Sequence, residues 1–287
     1  MRSRASSRAR LACLAGALAQ GLAPAAGAVS ISNLSVAFDP GNTADVFDNV
    51  APVYEEIRST VGILSSSATQ FTTQYQADVF TDAGTLGATS NVITLNAAYT
   101  ISFDIIDAVG TAWQLDLTTS RIGARTSVSD DIGQSAFSLG AATGFLAGAG
   151  TLSSGSLGLP AIARNQQGTS VNLAFNQNGT ASITGSGNGA VSLSFAFTAT
   201  AETLVAGGGG GAQGDEAAIR MGIEETLPSY TAGAYPGPGG RTEANDGHFV
   251  DLDLVDLGSI PEPDTALLFG LGLSALAIQR RALRRSS

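Results

Sequence analysis

Val191-Ser192-Leu193-Ser194-Phe195-Ala196-Phe197-Thr198 carries its larger side chains at every second position. That is the spacing of a strand with one face buried and one face wet. The same period recurs in Trp113-Gln114-Leu115-Asp116-Leu117-Thr118 and in Phe71, Thr73, Tyr75, Ala77 and Val79. It returns in Tyr99, Ile101, Phe103 and Ile105, and in Val171, Leu173 and Phe175. Later, Val250, Leu252 and Leu254 alternate with Asp251 and Asp253. Turn chemistry separates the runs at Asp39-Pro40-Gly41-Asn42, Asp82-Ala83-Gly84 and Asn178-Gly179. Asn-Gly suits the positive φ of a tight turn, so a hairpin is expected there. Short alternating strands with Gly-rich turns predict a mainly β fold, an antiparallel β-sandwich or jelly-roll-like ectodomain.

Two segments depart from this period. Val50, Tyr54, Ile57, Val61 and Leu64 recur at spacings of four and three, which predicts a short helix with Pro52 in its first turn. Asp215 to Glu225 is a second, weaker helix candidate. Ser138–Ser156, rich in Gly, Ala and Ser, resolves into neither period. Gly207–Gly211 and Tyr235–Gly240 read as loops.

The two ends of the chain differ from the body. Arg2, Arg4, Arg8 and Arg10 precede a modest apolar run, Leu11 to Leu22, and then Ala26-Gly27-Ala28. This is the layout of a secretory signal peptide, with signal peptidase reading Ala26 and Ala28 and cutting before Val29. The one cysteine, Cys13, leaves with it, so the exported body has no disulfide and relies on packing. A body of roughly 230 residues is long enough for a single core to do that.

At the other end stand Ile260-Pro261-Glu262-Pro263-Asp264, then 14 uncharged residues from Thr265 to Ile278, then Arg280, Arg281, Arg284 and Arg285. Pro261 and Pro263 hold the first element extended, the form in which a protease binds a peptide. As a helix the apolar run would rise about 21 Å, short of a full crossing. The terminal Arg side chains can snorkel to extend it, and they act as membrane-stop charges that place the C-terminus in the cytoplasm. A C-terminal transmembrane helix at the inner membrane is therefore expected. Residues 260–285 resemble the PEP-CTERM sorting tail of exported bacterial proteins. The resemblance implies that an exosortase recognises Pro261, Glu262 and Pro263, cuts nearby, and releases or re-attaches the body at the cell surface. It also implies an association with extracellular polysaccharide. The domain reading is signal peptide 1–28, β-rich extracytoplasmic domain 29–258 and sorting tail 259–287.

Charge follows the same division. All 14 basic residues are Arg, four in each end segment, leaving six in residues 29–264 against all 24 acidic ones, a body charge of −18. Such a body repels nucleic acid and anionic lipid, so no nucleic-acid partner is expected.

Catalytic chemistry is sparse in the sequence. The single histidine, His248, excludes a His/Cys zinc site and reads as an ordinary surface or strand-end residue. Gly209-Gly210-Gly211-Ala212-Gln213-Gly214 fits a dinucleotide pattern, but it lies in a poly-Gly run and reads as a linker. No catalytic residue, metal site or cofactor is therefore assigned. Two acidic groups stand out: Asp251 and Asp253 on one strand face with Asp256 nearby, and Asp39, Asn42, Asp45 and Asp48 in a loop. Oxygen-rich groups of this kind can hold Ca²⁺, although neither matches a known calcium loop. The leading expectation is a non-catalytic surface or matrix protein. The alternatives are a carbohydrate-binding module, with calcium as its candidate ion, and a secreted polysaccharide hydrolase or lyase. For the carbohydrate-binding module, Trp113, Tyr230 and Tyr235 are the aromatics to inspect.

Overall fold

A computed structural model describes residues 28–43, 46–50, 53–82, 91–129, 134–167, 171–204, 216–221, 223–225, 240–242 and 246–259. In chain order the strands are β1 (Ser30–Phe38), β2 (Val46–Val50), β3 (Val53–Ser66), β4 (Gln70–Asp82), β5 (Asn91–Ile106) and β6 (Thr111–Ser129). There follow β7 (Gln134–Leu139), β8 (Thr143–Gly148), β9 (Thr151–Gly155), β10 (Ile162–Gln167), β11 (Val171–Ser186) and β12 (Gly189–Leu204). The last are β13 (Glu216–Met221), β14 (Ile223–Glu225), β15 (Gly240–Thr242) and β16 (Gly247–Ser259).

The pairings are antiparallel, as the alternating pattern predicts. One sheet of six strands runs β1-β5-β12-β7-β10, with β8 following β7 along the same edge of β12. The other, of eight strands, runs β2-β3-β4-β13-β6-β11-β9. Here β13 and β16 share one lane between β4 and β6. β13 pairs with Ala77 to Asp82 of β4, and β16 with Gln70 to Tyr75. β14 and β15 form a separate two-stranded unit.

The two large sheets face each other across one apolar core. Leu95, Ile101, Leu193 and Phe195 come from the first, and Val79, Leu115, Ile183 and Val250 from the second, all fully buried. The centre of that core is a row of aromatic and polar side chains. Across the larger sheet, register sets Val61, Tyr75, His248, Arg121 and Gln177 side by side. Across the smaller sheet it sets Phe38, Tyr99 and Phe195 in line. The rows interlock: Tyr75 stacks on Tyr99 at 5.3 Å, Phe195 meets His248 edge-on at 5.3 Å, and Phe38 meets Tyr75 edge-on at 6.1 Å. Such pairs stabilise beyond the area they bury.

Three local expectations are corrected. The helix expected from Val50 to Leu64 is strand: β2 ends at Val50, and β3 pairs with β4 from Tyr54 to Ser66. Val53, Ile57, Thr60, Val61 and Ile63 are β-branched and favour strand once a partner is present. The helix expected from Asp215 to Glu225 is also strand. β13 is bonded on both sides, and Ala217, Ala218, Ile219 and Met221 are fully buried. The Asn178-Gly179 hairpin does not form; β11 runs straight through it, with Asn178 opposite Ser120 and Gly179 opposite Thr119. The long β6 offers partners on both sides of that dipeptide, so ladder bonds outweigh the turn preference. By contrast Asp39 to Asn42 is a turn, closed by Asn42 N donating to Asp39 O at 3.0 Å.

Arg121 is fully buried and holds one excursion of the chain in place. Its Nη1 donates to Gly140 O at 2.7 Å, and Nη2 donates to Pro160 O at 2.7 Å. Those carbonyls are the two ends of the segment carrying β8 and β9. Gln177 Oε1 accepts from Arg121 Nε at 2.9 Å, and Gln177 Nε2 donates to Pro160 O at 2.8 Å. Arg121→Leu would take this donor from both carbonyls; Pro160 O is on an exposed residue and keeps Gln177 Nε2, so the cost falls mainly on Gly140 O, at about 1–3 kcal/mol. We expect a stability loss of that order by urea titration, with hydrogen exchange accelerated mainly across 140–160. Unchanged protection there would contradict the assignment.

Candidate functional site: an acidic groove, a buried histidine and two chain ends

β16 alternates as its sequence predicts. Val250, Leu252 and Leu254 enter the core, while Asp251 and Asp253 stand exposed on the outer face of the larger sheet. Register adds a third carboxylate: Asp116 of β6 lies directly opposite Asp253. Together with Thr72, Thr118 and Gln70, these residues line an open groove of about 310 Å³. Like charges placed opposite one another are unfavourable. Neutral donors offset this in part. Thr72 Oγ1 donates to Asp251 Oδ1 at 2.7 Å, and Gln114 Nε2 and Ser182 Oγ each donate to Asp116 Oδ1 at 2.8 Å. The groove therefore presents carboxylate and hydroxyl oxygens on a flat β surface, chemistry that suits hydroxyl-rich ligands.

Asp256 is not part of it; its Oδ1 accepts from Gly258 N at 2.7 Å and shapes the end of the strand. In the Asp39 loop, Asp39 and Asn42 accept from protein donors. Asp39 Oδ1 accepts from Thr100 Oγ1 at 2.6 Å, Asn42 Oδ1 accepts from Ala98 N at 3.2 Å, and Asp45 lies outside the described residues. Among the described residues no group of three His, Cys, Asp or Glu is placed to hold a metal. Asp116 is the groove residue that sequence reasoning missed. Its strand was legible, but its position opposite Asp253 depends on β6 pairing with β16 across the intervening chain.

His248 is not a surface residue. It is fully buried, and its Nδ1 lies 2.5 Å from the Tyr99 hydroxyl. Burial first, then the charge of Arg121, lowers its pKa from 6.5 to about 3. Burial, with Tyr75 adding, holds the Tyr99 hydroxyl well above its ordinary pKa. Burial alone brings Arg121 down to about 10, so it stays charged at neutral pH beside a neutral imidazole. No substrate reaches this imidazole, so it serves packing rather than a triad. Trp113 is also buried, with Nε1 donating to Gly187 O at 2.9 Å, and offers no stacking face to a sugar. Tyr230, Tyr235 and the poly-Gly run lie outside the described residues.

Both ends of the body leave from one place. Ser30 at the start of β1 pairs with Ile106, and Ser259 at the end of β16 pairs with Thr111. Ile106 and Thr111 flank the short β5–β6 connection. At the amino end Ala28 is exposed and Val29 is only 2 % exposed. Ala26 lies outside the described residues, as do Pro261, Glu262, Pro263, Arg280, Arg281, Arg284, Arg285 and the apolar run between them. Among the described residues no helix is long and apolar enough to cross a membrane.

A family model for the PEP-CTERM protein-sorting motif matches residues 259–285. No curated protein matches the chain. The match begins on the last residue of β16, so the Pro-Glu-Pro element starts two residues beyond the sheet.

Protonation of His248 sets a testable pH dependence. The unfolded chain titrates near 6.5, whereas the folded ring stays neutral to about 3. Across that window the unfolded state binds the extra proton, so falling pH favours unfolding. The contribution is complete above pH 6.5 and is lost as pH falls towards 3. His248→Gln removes the proton site, so its melting temperature should drop less than wild type between neutral pH and pH 4.5. Equal drops would locate the acid sensitivity elsewhere.

Proposed function

We propose that this protein is a non-catalytic cell-surface or extracellular-matrix protein, sorted by an exosortase and associated with extracellular polysaccharide. One observation carries the reading: the PEP-CTERM sorting motif follows directly on the last strand of an acidic β body. The motif implies export, with the C-terminal tail anchored in the membrane before sorting. Five residues, 260–264, separate the sheet from the apolar run. Fully extended they span at most about 18 Å, so the unprocessed body stays close to the membrane. The signal-like residues 1–28 leave from the same end of the body, consistent with both basic termini starting in the cytoplasm.

The Asp116–Asp251–Asp253 groove favours a second reading, a carbohydrate-binding module. Carboxylate and threonine oxygens on an open strand face can bond sugar hydroxyls. A glycan array with and without chelator tests it, and absence of binding under both conditions rejects it.

The sorting claim is read most directly from intact mass. In cells with an exosortase the mature protein should lack residues 1–28 and end close to the Pro-Glu-Pro element. Without the enzyme it should keep residues 259–287. Replacing Pro261, Glu262 and Pro263 together by Ala should reproduce the enzyme-free mass and reduce surface display. Unchanged display after deletion of 260–287 would overturn the claim.

A further inference from the structure

Between Asp131 and Glu202 the chain has one charged residue, Arg164, and none of its 24 acidic side chains lies there. This stretch builds β7 to β11 and most of β12. One flank of an otherwise acidic body is therefore nearly neutral.

Within that flank β8 is an open sheet edge. β7 and β8 run end to end along β12, and β10 covers β7. The cover reaches one bridge further, where Ala142 and Leu159 exchange hydrogen bonds of 2.9 and 2.8 Å. Followed back from β10, the chain then leaves the sheet. Leu157 turns into the core beneath Gly144, where an added methyl would overlap it. Ser156 N donates to Thr180 O of the other sheet at 3.1 Å. Beyond Ala142, no strand among the described residues pairs with the outer side of β8. Ala149 N donates to Ala190 O at 2.7 Å, which sets the phase of the ladder. The backbone groups of Gly144 and Leu146 therefore face the open side, while at Gly148, with φ +92°, the chain leaves the extended form. Phe145, 65 % exposed, stands in solvent beside them.

Of the other edges, β10 and β2 keep their register but carry Arg164 and Asp48, and three more are interrupted. The β1 register shifts between Ser32 and Ser35, that of β3 between Ile63 and Ser65, and the β9–β11 pairing between Ser182 and Ile183. The β8 register is unbroken from Gly148 opposite Val191 to Thr143 opposite Ala196. A flat edge without charge, proline or bulge is the kind that accepts another strand.

We propose that β8 is a self-association edge, where β8 of a second copy adds antiparallel across a two-fold axis and extends the six-stranded sheet. Charge identifies the occupant. Two bodies of −18 repel each other over most approaches, within a screening length of about 8 Å at physiological salt. The neutral flank is where identical copies meet without that cost. A strand paired with itself antiparallel closes an isologous dimer. With Leu146 on the axis, Phe145 of each copy covers Ala147 of the other.

Sedimentation of the full chain in detergent micelles tests this. Wild type should show twice the protein mass of Ala147→Lys, which places a charge on the edge, and of Leu146→Pro, which removes an outward N–H. Val109→Lys, at a site 81 % exposed on the β5–β6 connection, should remain dimeric. Far-UV circular dichroism checks folding, and if Leu146→Pro alters it, Ala147→Lys alone decides. A monomeric wild type, a dimer that survives Ala147→Lys, or a dimer dissolved equally by Val109→Lys overturns the proposal.

Discussion

The structure depends on a buried guanidinium that, among the described residues, bonds carbonyl and amide oxygens rather than a carboxylate. Removing a charge from water costs several kcal/mol unless oxygens replace the lost hydration. Arg121 finds those oxygens in Gly140, Pro160 and Gln177, and its guanidinium carbon lies 5.5 Å from the centre of the Phe197 ring. To supply two main-chain carbonyls, the chain must enter and leave the 140–160 excursion at fixed points. The excursion can then deliver β8 to one sheet and β9 to the other. The same charge sits beside His248 and helps keep its ring neutral. Charge burial, core packing and the path of the surface strands are thus one coupled arrangement.

The topology also explains how a membrane-processed tail can be attached to a β body without a long linker. β16 lies between β4 and β6, in the interior of its sheet, and ends beside the β5–β6 connection where β1 begins. Both outgoing segments therefore emerge together. The sorting motif match begins on Ser259, the last residue of the strand. The acidic groove on the outer face of the larger sheet and the neutral flank at β8 are separate surfaces. One presents carboxylate and hydroxyl oxygens, and the other has no strand on its outer side among the described residues.

The candidate sites were unevenly legible. Asp251 and Asp253 were visible as exposed members of an alternating strand, because alternation alone decides which side chains face out. Asp116 was visible as a strand residue but not as their neighbour, since β6 ends at Ser129 and β16 begins only at Gly247. His248, read as a surface or strand-end residue, does stand at the start of β16 but is buried there. It follows Asn245-Asp246-Gly247, a turn-like stretch, yet it begins the buried face of β16 between Tyr75 and Arg121. Its polarity argued for solvent, but the Tyr99 hydroxyl satisfied one ring nitrogen inside the core.

The sequence alone determined the β class, the two basic ends, the acidic body and the sorting tail, because period, charge and order along the chain are local properties. It failed at the segments from Val50 to Leu64 and from Asp215 to Glu225, and at Asn178-Gly179. There a local helix or turn preference of a few tenths of a kcal/mol to about one competed with ladder bonds to distant strands. Only the tertiary structure decided those contests, and only it set Asp116 against Asp253, buried Arg121 with His248 and left the outer side of β8 without a strand among the described residues. Each of these depends on register between strands far apart in the chain, which no local pattern encodes.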